Sequence, residues 1–117
     1  MSDWVEEYFA DVDAMRLDAF VERHTEDAVV RINSNPPAQG KDQIRAVIGG
    51  FWELIGGLRH EVNDRFEDGD TVILDSDVHY TRKDGQLVTV RTATIVHRDG
   101  DLVDRLSFFN DPSPIFS

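Results

Sequence analysis

Hydrophobic residues recur with helical spacing at three places in the first half of the chain. The first helix is predicted to begin at Asp3, which with Glu6 resembles a capping box. Its apolar positions are Val5, Tyr8, Phe9 and Val12, and those of a second, short helix are Leu17, Phe20 and Val21. A third helix follows Gly40, with apolar residues Ile44, Val47, Ile48, Phe51 and Ile55.

Four glycines bear on this third helix. Gly56 and Gly57 supply its predicted end. Gly49 and Gly50 lie inside it, where each costs roughly 1 kcal/mol relative to alanine. Either a neighbouring group packs close to these two glycines, or they are a tolerated weakness of the helix.

The second half of the chain has a pattern typical of strands. A β-branched segment at 28–32 predicts one strand before the loop at 33–37. From Leu58 onward, Asp-Gly pairs at 68–69, 84–85 and 99–100 divide the chain into four long strands of an antiparallel meander. Helices followed by a sheet predict an α+β domain, in which the N-terminal helices cover the concave face of a curved antiparallel sheet and leave an open-mouthed cone.

Length and composition narrow the classes of function. The 117 residues predict one domain spanning 1–117. Cysteine is absent, which excludes disulfides, thiolate catalysis and thiolate metal sites. The net charge of −11 disfavours binding to nucleic acid or to anionic membranes. No basic N-terminal region and no run of about 18 apolar residues occurs, so a cytoplasmic location is expected.

The segment DSDVHYTR, residues 75–82, carries candidate chemistry. As a strand it places Asp75, Asp77, His79 and Thr81 on one face and Ser76, Val78 and Tyr80 on the other. The polar face either meets solvent, with Leu74, Val78 and Tyr80 covering the core, or lines a cavity. Inside a cavity, partial desolvation would make such a carboxylate a stronger base.

The order of these segments resembles the nuclear transport factor 2-like superfamily, in its SnoaL-like and ketosteroid-isomerase-like branch. The matching pieces run from Tyr8 to Pro112 and are YFADVDAMRLDAF, HTEDAVVRI, PPAQGKDQI, the Asp-Gly meander and RLSFFNDP. The resemblance implies a cone-shaped α+β barrel with a ligand cavity between helices and sheet, and frequent homodimerisation across the outer sheet surface. Alignment through the KDGQ turn implies that residues 75, 77, 79 and 81 line the cavity, and that 74, 78 and 80 face a dimer partner.

Few of the family's catalytic roles transfer to this chain. The isomerase-like oxyanion-hole tyrosine falls on Tyr8 and its supporting aromatic residue on His24. The proton-shuttling carboxylate falls on Ile32 and the second acid on Thr94, so steroid-type isomerisation is not expected. The epoxide-hydrolase-like pattern of one arginine and two aspartates is also broken, since its positions hold Asp75, Asp77 and Phe108.

The remaining hypothesis is a site formed by the polar face itself. Asp77 is the candidate base and His79 or Tyr8 the candidate acid, with His60 beside them if the turn at 68–69 is tight. With a two-residue turn at 84–85, Asp77 lies opposite Thr92 and Asp75 opposite Thr94. The candidate ligand-binding residues are Phe20, Ile32, Trp52, Asp75, Thr92, Thr94, Phe108 and Asn110.

Two classes of function remain open. One is a small cavity enzyme without a cofactor, which isomerises, cyclises or hydrates a modest organic molecule. The other is a non-catalytic ligand-binding or dimerisation module on the same fold. In either case the expected partners are a small-molecule ligand and a second copy of the chain. No metal is expected, because the chain lacks a recognisable ligand set.

Overall fold

The computed structural model describes residues 3–116, in which four helices accompany one six-stranded sheet. The helices are α1 (Trp4–Asp13), α2 (Leu17–Glu22), α3 (Gly40–Glu53) and α4 (Ser113–Phe116). The strands are β1 (His24–Ile32), β2 (Ala38–Gln39), β3 (Ile55–Asp68), β4 (Thr71–Arg82), β5 (Leu87–Asp99) and β6 (Leu102–Phe109). Their order in the sheet is β2-β1-β6-β5-β4-β3, and the sheet is curved and unclosed.

The predicted α+β architecture is confirmed. Strands β3 to β6 form the antiparallel meander, and β1 joins β6 in parallel. The inner face of the sheet packs against apolar side chains of α1 to α3, including Val5, Phe20 and Ile44, to form a single core. Among residues 3–116, no helix has the length and hydropathy needed to cross a membrane.

Two helix boundaries test the sequence predictions. The predicted N-cap of α1 is confirmed, because the Asp3 carboxylate accepts a hydrogen bond of 2.9 Å from the Val5 amide. The prediction that Gly56 and Gly57 end α3 is wrong. The helix ends at Glu53, and both glycines belong to β3, where Ile55 already pairs with Arg82.

The turn between β4 and β5 fixes which side chains face the core. The Arg82 amide donates to the Gln86 carbonyl at 2.8 Å, so three residues, 83–85, form the turn. Gly85 closes it with a φ of +88°, a left-handed conformation that glycine adopts without strain. The predicted two-residue turn is therefore wrong, and the strand pairing is shifted by one residue.

This shift reverses the predicted facing of β4. Ser76 lies opposite Thr92 and Leu74 opposite Thr94, whereas Asp77 lies opposite Arg91 and Asp75 opposite Ala93. Because side chains alternate along a strand, a shift of one residue moves a whole set to the other face. The inner face of β4 is accordingly Leu74, Ser76, Val78 and Tyr80, all buried.

The two internal glycines of α3 have different surroundings, which gives a matched pair for a stability test. A Cβ on Gly49 would lie 2.9 Å from a methyl carbon of Leu17, whereas a Cβ on Gly50 would meet nothing within 4 Å. Close packing therefore accounts for Gly49 and leaves Gly50 as a tolerated weakness.

Gly50→Ala should raise the free energy of unfolding by about 1 kcal/mol, because alanine favours the helix over glycine. Gly49→Ala should give a smaller gain, or a loss, because Leu17 must move. Urea denaturation of the two variants measures both effects. An equal gain in both would contradict the packing account of Gly49.

Candidate functional site

A partly open cavity of about 50 Å³ lies between the helices and the inner face of the sheet. Its walls are mostly aromatic, from Tyr8, Phe20, Phe51, Trp52, Tyr80 and Phe108. Its polar lining residues are His60, Thr92 and Thr94, together with the two tyrosines. The lining among the described residues includes no lysine, arginine or carboxylate, so the chamber suits an uncharged molecule.

Most of the ligand-binding residues expected from sequence lie around this cavity. Six of the named candidates line it: Tyr8, Phe20, Trp52, Thr92, Thr94 and Phe108. Ile32 and Asn110 lie instead at a neighbouring depression of about 330 Å³, whose wall shares Phe51 and Phe108 with the cavity. These two rings therefore separate the inner chamber from a wider outer one.

The three remaining candidates, Asp75, Asp77 and His79, lie on the outer face of the sheet, so the expectation that they line the cavity is wrong. The Asp75 carboxylate pairs with Arg91 at 2.8 Å. Asp77 accepts a hydrogen bond of 3.1 Å from the Asn63 amide, and His79 donates from Nε2 to Glu61 at 2.8 Å. Burying these carboxylates without such partners would be costly, whereas Leu74 and Val78 favour the core.

Tyr8 reaches the cavity from α1, but its hydroxyl is already used. It donates to Nε2 of His24 at 2.9 Å, and Nδ1 of His24 donates to the Phe20 carbonyl at 2.7 Å. Burial raises the pKa of Tyr8 well above its ordinary value. Burial also lowers the pKa of His24 to about 4, against an opposing effect of its backbone hydrogen bonds. Both side chains are therefore neutral at pH 7, and the phenol has no proton left to offer a ligand.

A second hydrogen-bonded pair, between a histidine and an aspartate, lies where α1 meets β3. Asp13, the last residue of α1, accepts hydrogen bonds from the His60 backbone amide at 3.1 Å and from its Nδ1 at 2.7 Å. The ring of Phe9 lies against the imidazole, with 4.8 Å between ring centroids. The carboxylate thus fixes the ring and keeps the proton of neutral His60 on Nδ1, which leaves Nε2 free to accept one.

Tyr80 lies on the strand next to His60 and also lines the cavity. Among the described residues, none forms a hydrogen bond with its hydroxyl, and the oxygen keeps some accessible surface. Burial, with a smaller effect of the Asp13 carboxylate, raises the pKa of Tyr80 to about 12, so the phenol keeps its proton. The site thus combines a free imidazole nitrogen with a free phenol.

Sequence reasoning missed Asp13, and the alignment through the turn placed Tyr80 on the wrong face. Both members of the Asp13–His60 pair nevertheless carried a signal. Asp13 follows Val5 and Phe9 at intervals of four residues, which places it on the apolar face of α1. His60 alternates with Leu58 and Val62, a period that predicts the inner face of a strand. Within residues 3–116, no group of three or more histidine, aspartate and glutamate side chains is arranged to hold a metal ion.

The depressed pKa of His24 makes a prediction about stability. The unfolded chain binds a proton at this histidine near pH 6.5, whereas the folded protein does so only near pH 4. The contribution of His24 to the free energy of unfolding is therefore fully present above pH 6.5. It falls by about 3 kcal/mol as the pH drops towards 4. Urea denaturation between pH 7 and pH 4 measures the loss. His79→Gln, on the outer face, should leave this pH dependence unchanged. A His24 ring proton signal that titrates near pH 6.5 in NMR would contradict the prediction.

Solved structures with the same fold are numerous, but all three named here share little sequence with this chain. An NTF2-like protein of unknown function from Burkholderia pseudomallei K96243 has a TM-score of 0.83 at 13% identity, over 96% of this chain and 91% of that one. A candidate SnoaL-like polyketide cyclase from Jannaschia sp. CCS1 has a TM-score of 0.73 at 20% identity, over 85% of this chain and 74% of that one. The third is a protein with a ketosteroid isomerase-like fold from Catenulispora acidiphila DSM 44928, in complex with trimethylamine. Its TM-score is 0.80 at 14% identity, over 92% of this chain and 85% of that one.

The sequence itself matches a family model over most of its length. No curated protein matches the chain. Residues 5–106, from α1 to the middle of β6, match the model described as SnoaL-like domain. The likeness in fold and the match in sequence agree with the resemblance noted from the motifs. The chain therefore belongs to the SnoaL-like domain family.

Proposed function

We propose that this protein is a cofactor-independent enzyme that moves a proton on a small, neutral organic molecule held in the aromatic cavity. The observation that carries the proposal is the Asp13–His60 pair at the cavity wall. A histidine oriented by a carboxylate through Nδ1 presents Nε2 as a general base. His60 thus replaces Asp77, which the sequence suggested as the base.

The size and polarity of the cavity define the substrate. The volume of about 50 Å³ is roughly a third of the ~150 Å³ apolar cavity that takes benzene. A five-membered ring ketone has as many heavy atoms as benzene, so it fits only when this cavity is enlarged. The aromatic walls favour an apolar body, and such a ketone is admitted when Phe51 and Phe108 move and join the cavity to the outer depression.

The step that we propose is proton abstraction from carbon beside a carbonyl group. The C–H bond breaks as an N–H bond forms at Nε2 of His60, and the electron pair moves onto the carbonyl oxygen. Return of the proton to the same or another carbon completes an exchange or an isomerisation, with no oxidant or reductant consumed.

Exchange of the α-hydrogens of cyclopentanone in D₂O tests this function. The wild-type protein should accelerate the loss of the α-proton NMR signal, and His60→Gln should remove about 99% or more of that acceleration, the usual range for a general base. His79→Gln, which changes a histidine on the outer face, should match the wild type. Equal rates for wild type and His60→Gln would rule out His60 as the base.

The alternative is a non-catalytic ligand-binding module, and the aromatic walls favour it specifically. Rings such as Trp52 and Phe20 attract small alkylammonium ions through their faces, and the Catenulispora protein of similar fold was crystallised with trimethylamine. A module of this kind would bind trimethylammonium in preference to cyclopentanone. It would not accelerate the exchange of the α-hydrogens of cyclopentanone.

We also propose a homodimer formed through the outer face of the sheet. The sequence-based argument used Leu74, Val78 and Tyr80, and that basis is wrong because all three are buried inside. The outer face has another apolar stripe, with Phe66 59%, Ile73 41%, Ile95 37% and Phe109 49% exposed. Phe66 pairs with Ile73 and Ile73 with Ile95 across three strands, so the stripe is continuous.

Charge placed in this stripe should separate the two subunits. Ile73→Asp combined with Ile95→Asp should give a monomer in sedimentation experiments at micromolar concentration, because two carboxylates would be buried at the interface. Val47→Asp, on the solvent side of α3, is the matched control and should remain dimeric. A wild-type protein that sediments as a monomer would refute the proposed dimer.

A further inference from the structure

The cavity contains two buried tyrosines, and only one of them has a hydroxyl without a partner. Tyr8 donates its proton to His24, while the Tyr80 hydroxyl forms no hydrogen bond among the described residues and belongs to a side chain that lines the cavity. We propose that Tyr80 binds the ligand by donating a hydrogen bond to an acceptor oxygen, and so selects small neutral molecules that carry a carbonyl or ether oxygen. This inference rests on the proposed function in one respect, that the cavity binds such a molecule.

The sheet register places Tyr80 beside the proposed base. His60 pairs with Val78 and Leu58 pairs with Tyr80, so His60 and Tyr80 are diagonal neighbours on the same face of β3 and β4. Diagonal neighbours have Cα atoms roughly 7–8 Å apart. A ring of five or six heavy atoms can therefore touch the imidazole with a carbon atom and the phenol with its oxygen.

The other hydroxyls of the lining are further from His60 along the sheet than that of Tyr80. Val78 pairs with Val90, so Thr94 is two strands away from His60 and four residues further along. From the spacing of strands and the rise per residue, the Cα atoms of His60 and Thr94 are roughly 16 Å apart. Those of His60 and Thr92 are roughly 12 Å apart. Thr92 also donates its hydroxyl proton to the Val90 carbonyl at 3.3 Å.

The surroundings of Tyr80 suit a neutral donor. Its environment in the core and the nearby Asp13 carboxylate both oppose ionisation, so the hydroxyl keeps its proton throughout the neutral range. In the proposed step, the carbonyl oxygen gains electron density when His60 takes the carbon-bound proton. A fixed phenol proton at that oxygen stabilises the developing charge more than it stabilises the bound ketone.

NMR with ¹³C at Cζ of tyrosine tests the assignment directly. The chain has two tyrosines, Tyr8 and Tyr80, so the spectrum contains two signals, which the variants Tyr8→Phe and Tyr80→Phe identify. Addition of cyclopentanone to the wild-type protein should shift the Tyr80 signal in a saturable manner. The inference is overturned if the Tyr8 signal moves instead, or if neither signal moves.

A second ligand separates the hydrogen bond from packing. Methylenecyclopentane has the shape of cyclopentanone but no acceptor oxygen. Tyr80→Phe should weaken cyclopentanone binding roughly threefold to tenfold and leave methylenecyclopentane binding unchanged, since one hydrogen bond is lost and the ring remains. Equal losses for both ligands would mean that Tyr80 acts by packing, and no loss for either would mean that it is not the donor.

The two experiments separate this inference from the proposed function. A Tyr80 signal that responds to cyclopentanone without any α-hydrogen exchange refutes the proposed enzyme and supports Tyr80 as the ligand's donor. Exchange that depends on His60 but is insensitive to Tyr80→Phe supports the enzyme and refutes the role of Tyr80. A protein that neither binds nor exchanges cyclopentanone refutes both.

Discussion

The alternation of side chains along β4 is the constraint on which the rest of the structure depends. Leu74, Val78 and Tyr80 pack against the helices, and β4 pairs along nearly its whole length with β3 on one side and β5 on the other. A register shift of one residue would bury Asp75 and Asp77 in an apolar core, at a cost of several kcal/mol for each charge. The short turn closed by Gly85 and this burial penalty therefore specify the same register.

The chemistry of the cavity follows from that register. With the carboxylates outside, the inner face of the sheet presents hydroxyls and aromatic rings, and the pair Tyr8–His24 adds no charge. His60 supplies the one imidazole among the described lining residues, and its Nδ1 is held by Asp13. The proposed proton transfer therefore has one imidazole to act at, among walls without charged side chains.

The fold was largely predictable from sequence, because it rests on repeated local signals. The Asp3 cap, the apolar spacing of α1 and the Asp-Gly turns each specify one element, and their order indicates the family. The site was predictable only in part. The difference between a two-residue and a three-residue turn decides the facing of Asp77, and composition does not distinguish the two. The pairing of Asp13 with His60 joins residues 47 positions apart, which neither helical nor strand periodicity can reveal.

The Asp13–His60 contact also joins the two layers of the fold. Asp13 belongs to the last turn of α1 and His60 to the middle of β3, so the helix layer and the sheet meet through one carboxylate. A displacement of α1 from the sheet would separate the imidazole from the carboxylate that orients it. The orientation of His60 therefore depends on how firmly α1 is docked, so a substitution that loosens this helix would disturb the ring without touching it.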